Sequence, residues 1–535
     1  MDVRDQLRAA LAAALTTAGV DPVPTEIALE RPANPENGDW SSNVALATAK
    51  SAGRNPRELG QQLIDHLRSA PPPHVTAIDL AGPGFVNFRL GDTWLHAVLR
   101  DVLAGGVERY ARPDLGHDLH VNVEFVSANP NKPLHAGHGR GACYGDSIAR
   151  LRERCGFRVT REYYINDRGV QMAKYAESLA ARKLGEEPAE DGYHGEYLID
   201  WAAEMPDGAD PVAWGYERAL ASHRATLAAL EIHHDVWFSE KSMVDSGAID
   251  ETLADLRGHD AVYESEGATW LRSTDQGDDK DRVLVKSDGD YTYLTPDIAY
   301  HRDKFSRSDR LFNVWGADHH GYVPRMKAAM YLLGHDPEEL HIAITQMVDL
   351  MRSGEPVAMS GRSGDFIALD DVIGEVGPDA ARFTYLMQSV DSRQTFDLDE
   401  VAKQGMENPV FYVQYAHARI CSILRKVADE GVARVPLAET DLSLLVHERE
   451  LDILRSLQQL PDMVEIACTD DAPHRIVAWS REQAAALHGF YHDCYVMGDG
   501  VSEALTQARI ALVESSQVGL RIALDLLGVS APESM

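Results

Sequence analysis

"LHVNVEFVSANPNKPLHAGHGRGACYGDSIARLRERCGF" spans residues 119–157, and its fold decides the rest. The first part, "LHVNVEFVSANP", predicts a strand that ends in a turn. "HGRGACYGDSIARLRERCGF" predicts a helix ending near Gly156. Beyond it, "RVTREYYIND" predicts a second strand and "RGVQMAKYAESLAARKLG" a second helix. Strand, glycine-rich turn, helix and strand make a βαβ unit, so the centre of the chain belongs to the α/β class.

Between the strand and the helix stands His-Ala-Gly-His, residues 135–138. Gly137 lets backbone approach a phosphate closely, and a helix N-terminus offers N–H groups and positive dipole to an anion. His135 and His138 can donate to phosphate oxygens as charge develops during displacement at phosphorus. The competing explanation is an incidental His-Ala-Gly-His. A metal site is the other alternative, with Asp318, His319 and His320 as further ligands. No third ligand has zinc spacing, so no metal site is expected.

Outward from this stretch, the 535 residues are too many for one ordinary domain. Residues 1–112 predict a small α+β unit. Helical "DVRDQLRAALAAAL" and "PRELGQQLIDHLRS" accompany "VTAIDLAGPGFVNFRL", two strands around a Gly-Pro-Gly turn. "ARPDLGHD" reads as a linker. Residues 185–260 are acidic and interrupted by proline and glycine, which suits an insertion. Strand signals resume at "ATWLRST", "DRVLVKSDGDYTYL", "RLFNVWG" and "LHIAITQMVDLM", as an interrupted α/β sheet would resume. From about residue 400 the apolar period becomes helical through four long segments, an all-α bundle.

Composition narrows the function classes. No apolar run reaches the ~18 residues needed to cross a bilayer. "MDVRDQLRAALAAALTTAG" reads as an amphipathic helix and not a signal peptide. Five cysteines without CxxC spacing support neither a disulfide framework nor a cysteine zinc site, and a cytoplasmic compartment is expected. The formal net charge of -33 argues against a nucleic-acid partner, although local basic patches survive in acidic chains. Only 11 of the 51 basic residues are lysine, and none lies between Lys327 and Lys403, so Lys132 beside the histidines stands out.

The segments "EFVSANPNKPLHAGHGRGACYGDSIARL", "REYYINDRG", "YLTPDIAYH", "WGADHHGYVPR", "NPVFYVQYAHARICSILRK" and "LLGVSAPESM" resemble arginyl-tRNA synthetases, class I aminoacyl-tRNA synthetases, in order along nearly the whole chain. The resemblance implies a Rossmann-type catalytic domain at 113–400. It also implies a small α+β N-terminal domain touching tRNA at 1–112 and an all-α anticodon-binding bundle at 401–535. The implied activity is ATP-dependent ligation of L-arginine to tRNA(Arg) through an arginyl-adenylate. Magnesium is implied as the ATP counterion, and a monomer is expected.

The chain departs from the family at the second class I motif. A lysine-rich KMSKS-type loop normally stabilises the pyrophosphate leaving group, but here residues 358–364 read "AMSGRSG". Ala358 and Gly361 stand where the lysines are expected. Lys132 is the candidate replacement, as in family members that lack the first loop lysine, and Arg362 is a candidate phosphate clamp. A solvated turn lysine is the bland alternative. The loss also admits a tRNA-binding paralogue without activity. A different HxGH nucleotidyltransferase is a third possibility, against which the long helical region argues.

The remaining residues carry over by motif. His135, Gly137, His138, Asp318, Met359 and Ser360 are expected around ATP. Tyr293, Asp297, Glu124, Asn129 and His319 are expected around arginine, with carboxylates receiving the guanidinium. Three have an ordinary structural alternative: Tyr293 as a strand-end aromatic, Asp297 as a helix N-terminal acid and Glu124 as a rim carboxylate. Tyr412, Tyr415 and Arg419 fall at i, i+3 and i+7 and share a helix face, a stacking surface for anticodon bases. Core packing is the alternative for Tyr412. Met535 ends the chain as in the family, but Ser534 replaces a more usual arginine.

Overall fold

The computed structural model describes residues 3–32, 34–357 and 366–535. They form two compact units. One consists of Met1–Gly106, Val427–Gln458 and Gly489–Ser516. The other consists of Val107–Lys426, Gln459–His488 and Gln517–Met535. The helical region from residue 401 therefore contributes residues to both units. Its helices, Pro409–Asp429, Glu448–Thr469, His474–Asp493 and Glu503–Leu527, are 20 to 25 residues long. That is roughly 30 Å or more of helix, longer than one small core.

In the first unit, helices Val3–Thr17 and Pro56–Ser69 bury leucine stripes, including Leu7, Leu11, Leu59 and Leu63. Asn55 caps the second helix from its side chain, with Pro56 at the first helical position. Strands Val75–Ala81 and Phe85–Leu90 form the expected antiparallel hairpin, and Trp40–Ser42 adds a third strand.

The second unit is built on five parallel strands. In chain order these are β1 (His120–Glu124), β2 (Arg158–Ile165), β3 (Val236–Ser239), β4 (Arg310–Gly316) and β5 (Leu340–Thr345). Their spatial order is β5-β4-β1-β2-β3, with every pairing parallel. Helix α1 (Ala136–Arg154) links β1 to β2, and α2 (Leu294–Arg307) leads into β4. This is the doubly wound order, and β1 and β4 are the neighbours between which chain direction reverses. Ligands of open α/β sheets bind at the carboxyl ends of such a pair.

A buried polar row crosses the sheet. Glu124 pairs in register with Glu162 of β2 and with Asn313 of β4. Lys304 of α2, 0 % exposed, donates to Glu124 Oε2 at 2.6 Å and to Asn313 Oδ1 at 2.8 Å. Arg307 makes a fork to Glu162 at 2.7 and 2.8 Å, and Tyr300 donates to the same carboxylate at 3.0 Å. Asn313 donates to His301 Nε2 at 2.7 Å. Buried charges need this degree of pairing, and the pairing fixes where α2 sits on the sheet.

Three sequence expectations change. The stretch at 185–260 is not wholly an insertion, because "VWFS" within it forms edge strand β3. "ATWLRST" and "DRVLVKSDGDYTYL" do not rejoin the parallel sheet. They build a separate antiparallel sheet with Val262–Ser265. The hairpin turn there is Glu266-Gly267, with φ of 52° and 77°, which matches the twist of paired strands. "LHIAITQMVDLM" is split: Leu340–Thr345 is β5, whereas Val348–Arg352 pairs with Gln394–Asp397 in another small sheet.

Candidate active site

Directly after β1 the backbone enters the left-handed region at Val126 (φ 73°) and Ser127 (φ 45°). A β-branched residue there costs on the order of 1–2 kcal/mol, so the surroundings must hold it. Ser127 Oγ donates to Glu124 Oε1 at 3.0 Å and accepts from the Tyr164 N–H at 3.1 Å. Tyr163 Oη accepts from the Ala128 N–H at 3.1 Å. The strained turn throws residues 129–134 across the carboxyl edge of the sheet before α1 begins.

His135 is the N-cap of α1, and its Nδ1 accepts from the Gly137 N–H at 3.1 Å. The His135 N–H in turn donates to His138 Nδ1 at 3.1 Å. Two histidines thus make a reciprocal capping box, normally the work of Ser or Thr with Glu. An imidazole that accepts at Nδ1 carries its proton on Nε2. Burial, then Lys132, lowers His135 to about 4. Burial, then His135, His223 and Lys132, holds His138 well below its usual range. Both rings are therefore neutral at pH 7, tilted by 31° with centroids 3.7 Å apart, each with one Nε2–H free of the cap. A Cβ on Gly137 would lie 2.9 Å from the His135 ring, so glycine leaves room for this arrangement.

Lys132 is half-buried, and its ammonium lies 5.5 Å over the Phe366 ring. Burial lowers its pKa. The Ala136 N–H donates to Ile367 O at 2.9 Å, and the Leu369 N–H to Leu134 O at 2.8 Å. The chain leaving residues 358–365 therefore runs antiparallel to Leu134–Ala136, through a bridge between His135 and Ala368. Met359, Ser360 and Arg362 lie outside the described residues.

A second cluster lies at the N-terminus of α2. Asp297 Oδ2 accepts from the Tyr322 hydroxyl at 2.7 Å. Burial, then the like charges of Glu124 and Glu240, raises Asp297 to about 7. Burial also raises Glu240, which hydrogen-bonds Tyr164. The like charges of Glu124 and Glu240 disfavour the ionised form of Asp297, and a bound cation would relieve that repulsion. Glu124 lies beneath the cluster, with its two oxygens engaged by Lys304 and Ser127. Asn129 donates to Gln171 at 2.9 Å. Tyr293 precedes α2 and is 91 % exposed. Asp318 and His319 lie on the exposed turn after β4, 3.5 Å apart.

Sequence reasoning missed Tyr322, Glu240 and Lys304. Lys304 had a signal: Asp297, Tyr300, His301 and Lys304 repeat at helical spacing, a polar stripe on a face that the sheet buries. Tyr322 and Glu240 had none, being brought to Asp297 from other elements.

Further along the second unit, Tyr412, Tyr415 and Arg419 share one face of helix Pro409–Asp429. The Arg419 guanidinium lies 4.9 Å over the Tyr415 ring, and His488 stacks 6.0 Å from Tyr415 and packs tilted 4.6 Å from Tyr412. The C-terminal segment follows the same helix. Gln414 donates to Ser530 O at 3.0 Å, His417 bonds Pro532 O at 2.9 Å, and Met535 is exposed.

A doubly wound sheet with a histidine-capped helix at its switch point, followed by a helical region, defines a class I aminoacyl-tRNA synthetase. Comparison with known proteins agrees along the chain. Residues 99–190 and 218–420 match the catalytic domain of class I (R) tRNA synthetases. Residues 3–90 match the arginyl-tRNA synthetase N-terminal domain, and 413–535 the DALR anticodon binding domain. An arginine–tRNA ligase of Desulfitobacterium hafniense is 44% identical over 529 residues, covering 95% of this chain and 93% of that protein. One of Geobacillus thermodenitrificans is 43% identical, covering 100% and 99%. The fold is also that of Thermus thermophilus arginyl-tRNA synthetase, with a TM-score of 0.76 at 24% identity, covering 99% of this chain and 100% of that one. The chain belongs to the arginyl-tRNA synthetase family. Identity of this extent does not favour a tRNA-binding paralogue without activity.

Proposed function

We infer that this chain ligates L-arginine to tRNA(Arg) in two steps, using ATP and passing through arginyl-adenylate. The observation that carries this is the pairing of two clusters on one edge of the sheet. After β1 come two neutral imidazoles whose Nε2–H donors are not used by the helix cap. At the start of α2 lies a carboxylate pocket centred on Asp297.

Each residue then has a part. Asp297, with Glu240 and Tyr322 beside it, receives the guanidinium, and the charge of Glu124 reinforces it from below. Tyr293, Asn129 and His319 border the arginine at the rim. The arginine carboxylate attacks the α-phosphorus and pyrophosphate leaves. His135 and His138 donate to phosphate oxygens as negative charge grows there, beside the Gly137 backbone. Lys132 supplies the cation for the β- and γ-phosphates that Ala358 and Gly361 do not, and Arg362 assists. Met359, Ser360 and Asp318 complete the nucleotide contacts. Among the described residues no group of three or more His, Cys, Asp or Glu is arranged to hold a metal ion. Magnesium would enter with the ATP phosphates.

The arginyl group then passes to the terminal adenosine of the tRNA, whose anticodon bases stack on Tyr412, Tyr415 and Arg419. Met535 lies at the end of the segment that follows the same helix. A monomer working in the cytoplasm is part of the same proposal. No helix among the described residues is long and apolar enough to cross a membrane. The test is ATP–pyrophosphate exchange with arginine, measured with and without tRNA(Arg). Arginine-specific exchange that requires or accelerates with the tRNA is expected. Absence of exchange even with tRNA would overturn the assignment.

A further inference from the structure

The turn that carries Lys132 is held from behind by a chain of hydrogen bonds with a fixed direction. His223, on helix Pro211–Ala229, is 0 % exposed. Its Nε2 is 2.8 Å from the Lys132 carbonyl oxygen, and its Nδ1 is 2.9 Å from Tyr163 Oη. A carbonyl only accepts, so Nε2 carries the proton. Burial lowers His223 to about 4 and keeps the ring neutral, so Nδ1 accepts from the tyrosine. The Tyr163 hydroxyl lies 3.1 Å from both the Ala128 N–H and Ala128 O; its one proton goes to the nearer acceptor, His223 Nδ1 at 2.9 Å, and its oxygen accepts from the Ala128 N–H. Every donor in the series points the same way, from Ala128 through Tyr163 and His223 to Lys132. Such chains are mutually reinforcing in a dry interior.

The chain just ahead of that helix, through Tyr193 in a loop and Tyr197 on helix Glu196–Glu204, grips the turn a second time. Asn131, buried, donates to the Tyr193 hydroxyl at 2.8 Å, and the Tyr197 hydroxyl donates to Asn131 O at 2.9 Å. Tyr197 also packs 6.1 Å from the Phe366 ring, the ring beneath the Lys132 ammonium. Residues 193–223 therefore contact both the backbone of the turn and the surface on which its lysine rests.

We propose that His223 is a positioning residue for arginine activation: by holding the Lys132 carbonyl it sets the backbone from which the Lys132 ammonium reaches the ATP phosphates. This rests on the phosphate role of Lys132 given above. His223 itself touches no substrate. Its helix belongs to the stretch that resembles an insertion in the sequence, which thereby acquires a part in the reaction.

The test is ATP–pyrophosphate exchange, with arginine and tRNA(Arg), for His223→Leu and His223→Gln, each in the wild-type and Lys132→Ala backgrounds. Gln keeps a side-chain N–H near the Nε2 position and an acceptor for Tyr163, whereas Leu keeps neither. His223→Leu is expected to lower kcat/KM for ATP on the order of 10- to 100-fold, as a small displacement of a reacting group does. The arginine dissociation constant, read by calorimetry, should not change. His223→Gln should recover most of the loss. In the Lys132→Ala background His223→Leu should add no further loss. Independent, multiplying losses would overturn the proposal and leave His223 a core histidine. Equal damage from Gln and Leu, or a parallel loss of arginine affinity, would do the same. Normal exchange by Lys132→Ala alone would overturn the lysine assignment itself, whatever His223 does. If His223→Leu fails to fold, Tyr163→Phe replaces it. That variant removes the proton that orients His223, and a loss confined to the Lys132-containing background is expected.

Discussion

The Lys132 ammonium rests 5.5 Å over the ring of Phe366, and Phe366 is the residue through which the chain leaves segment 358–365. The next residue, Ile367, accepts the Ala136 N–H of the histidine-capped helix. The one lysine beside HxGH is therefore tied to the point where the lysine-free second motif returns to the first. Half-burial on an aromatic face limits its reach and keeps it out of bulk water.

Lys132→Ala should reduce ATP–pyrophosphate exchange on the order of 100-fold or more, since it removes a cation from a developing pyrophosphate. Phe366→Ala should cost less, roughly 3- to 10-fold, the scale of a partly exposed cation–π contact. Arginine binding measured without ATP should be unchanged in both. A Lys132→Ala protein with normal exchange would reduce the lysine to a turn residue.

Asp297 gives the pH dependence its sign. Its folded pKa of about 7 stands above the ordinary 3.8. In the free protein it is protonated below pH 7, and a neutral carboxyl attracts a guanidinium weakly. The kcat/KM for arginine should fall roughly tenfold per pH unit below about 7 and flatten above 8. The stability linkage runs the opposite way. A carboxyl with a raised folded pKa contributes fully below about pH 4, and its contribution is lost as pH rises through 7. Asp297→Asn should therefore raise the melting temperature at pH 8 without arginine while abolishing arginine-dependent exchange. A pH-independent kcat/KM between 6 and 8 would refute the assignment.

His135 serves the helix and the chemistry separately. Asn is a strong N-cap, so His135→Asn should keep the melting temperature close to wild type while exchange falls by about 100-fold or more. His135→Ala should lose exchange and also about 1 kcal/mol of stability. Because His135 lies near 4, it should add no titration of its own above pH 6. Parallel loss of stability and activity in His135→Asn would count against this division.

Gly139 carries a packing constraint. An added Cβ would lie 2.6 Å from Tyr385 Cε2. Tyr385 is buried, and its hydroxyl donates to Ala136 O at 3.1 Å. Gly139→Ala should destabilise by about 1–3 kcal/mol in a urea titration. It should also lower exchange, because relief requires Tyr385 or the first turn of α1 to move.

The stacked face of helix Pro409–Asp429 should matter for tRNA and not for arginine. Tyr415→Ala should raise the KM for tRNA(Arg) about 10-fold, the scale of one base–aromatic stack. The arginine dissociation constant should not change. An unaltered KM for tRNA would leave Tyr415 a packing residue beside Arg419 and His488.

Local chemistry was legible because it needs only neighbours. The alternation of β1, the helical period of α1 and the Gly-Pro-Gly hairpin follow from spacing within about a dozen residues. The HxGH motif and the missing loop lysines are equally local, and the family resemblance lies in the residues of six segments along the chain. Other features depended on contacts between residues 60 to 180 positions apart in the chain. "VWFS" is too short and evenly half-buried to declare itself the edge of the sheet. Nothing near Glu124 in sequence announces its pairing with Lys304, 180 residues away. His223 looked like one more helix residue until its two nitrogens were placed against Tyr163 and Lys132. The chain itself specifies which groups carry charge, which can cap and where glycine is needed. Only the closed fold decides which of those groups are desolvated together and which partners face them: desolvation raises the pKa of Asp297, and the hydrogen-bond partners set the tautomers of the histidines.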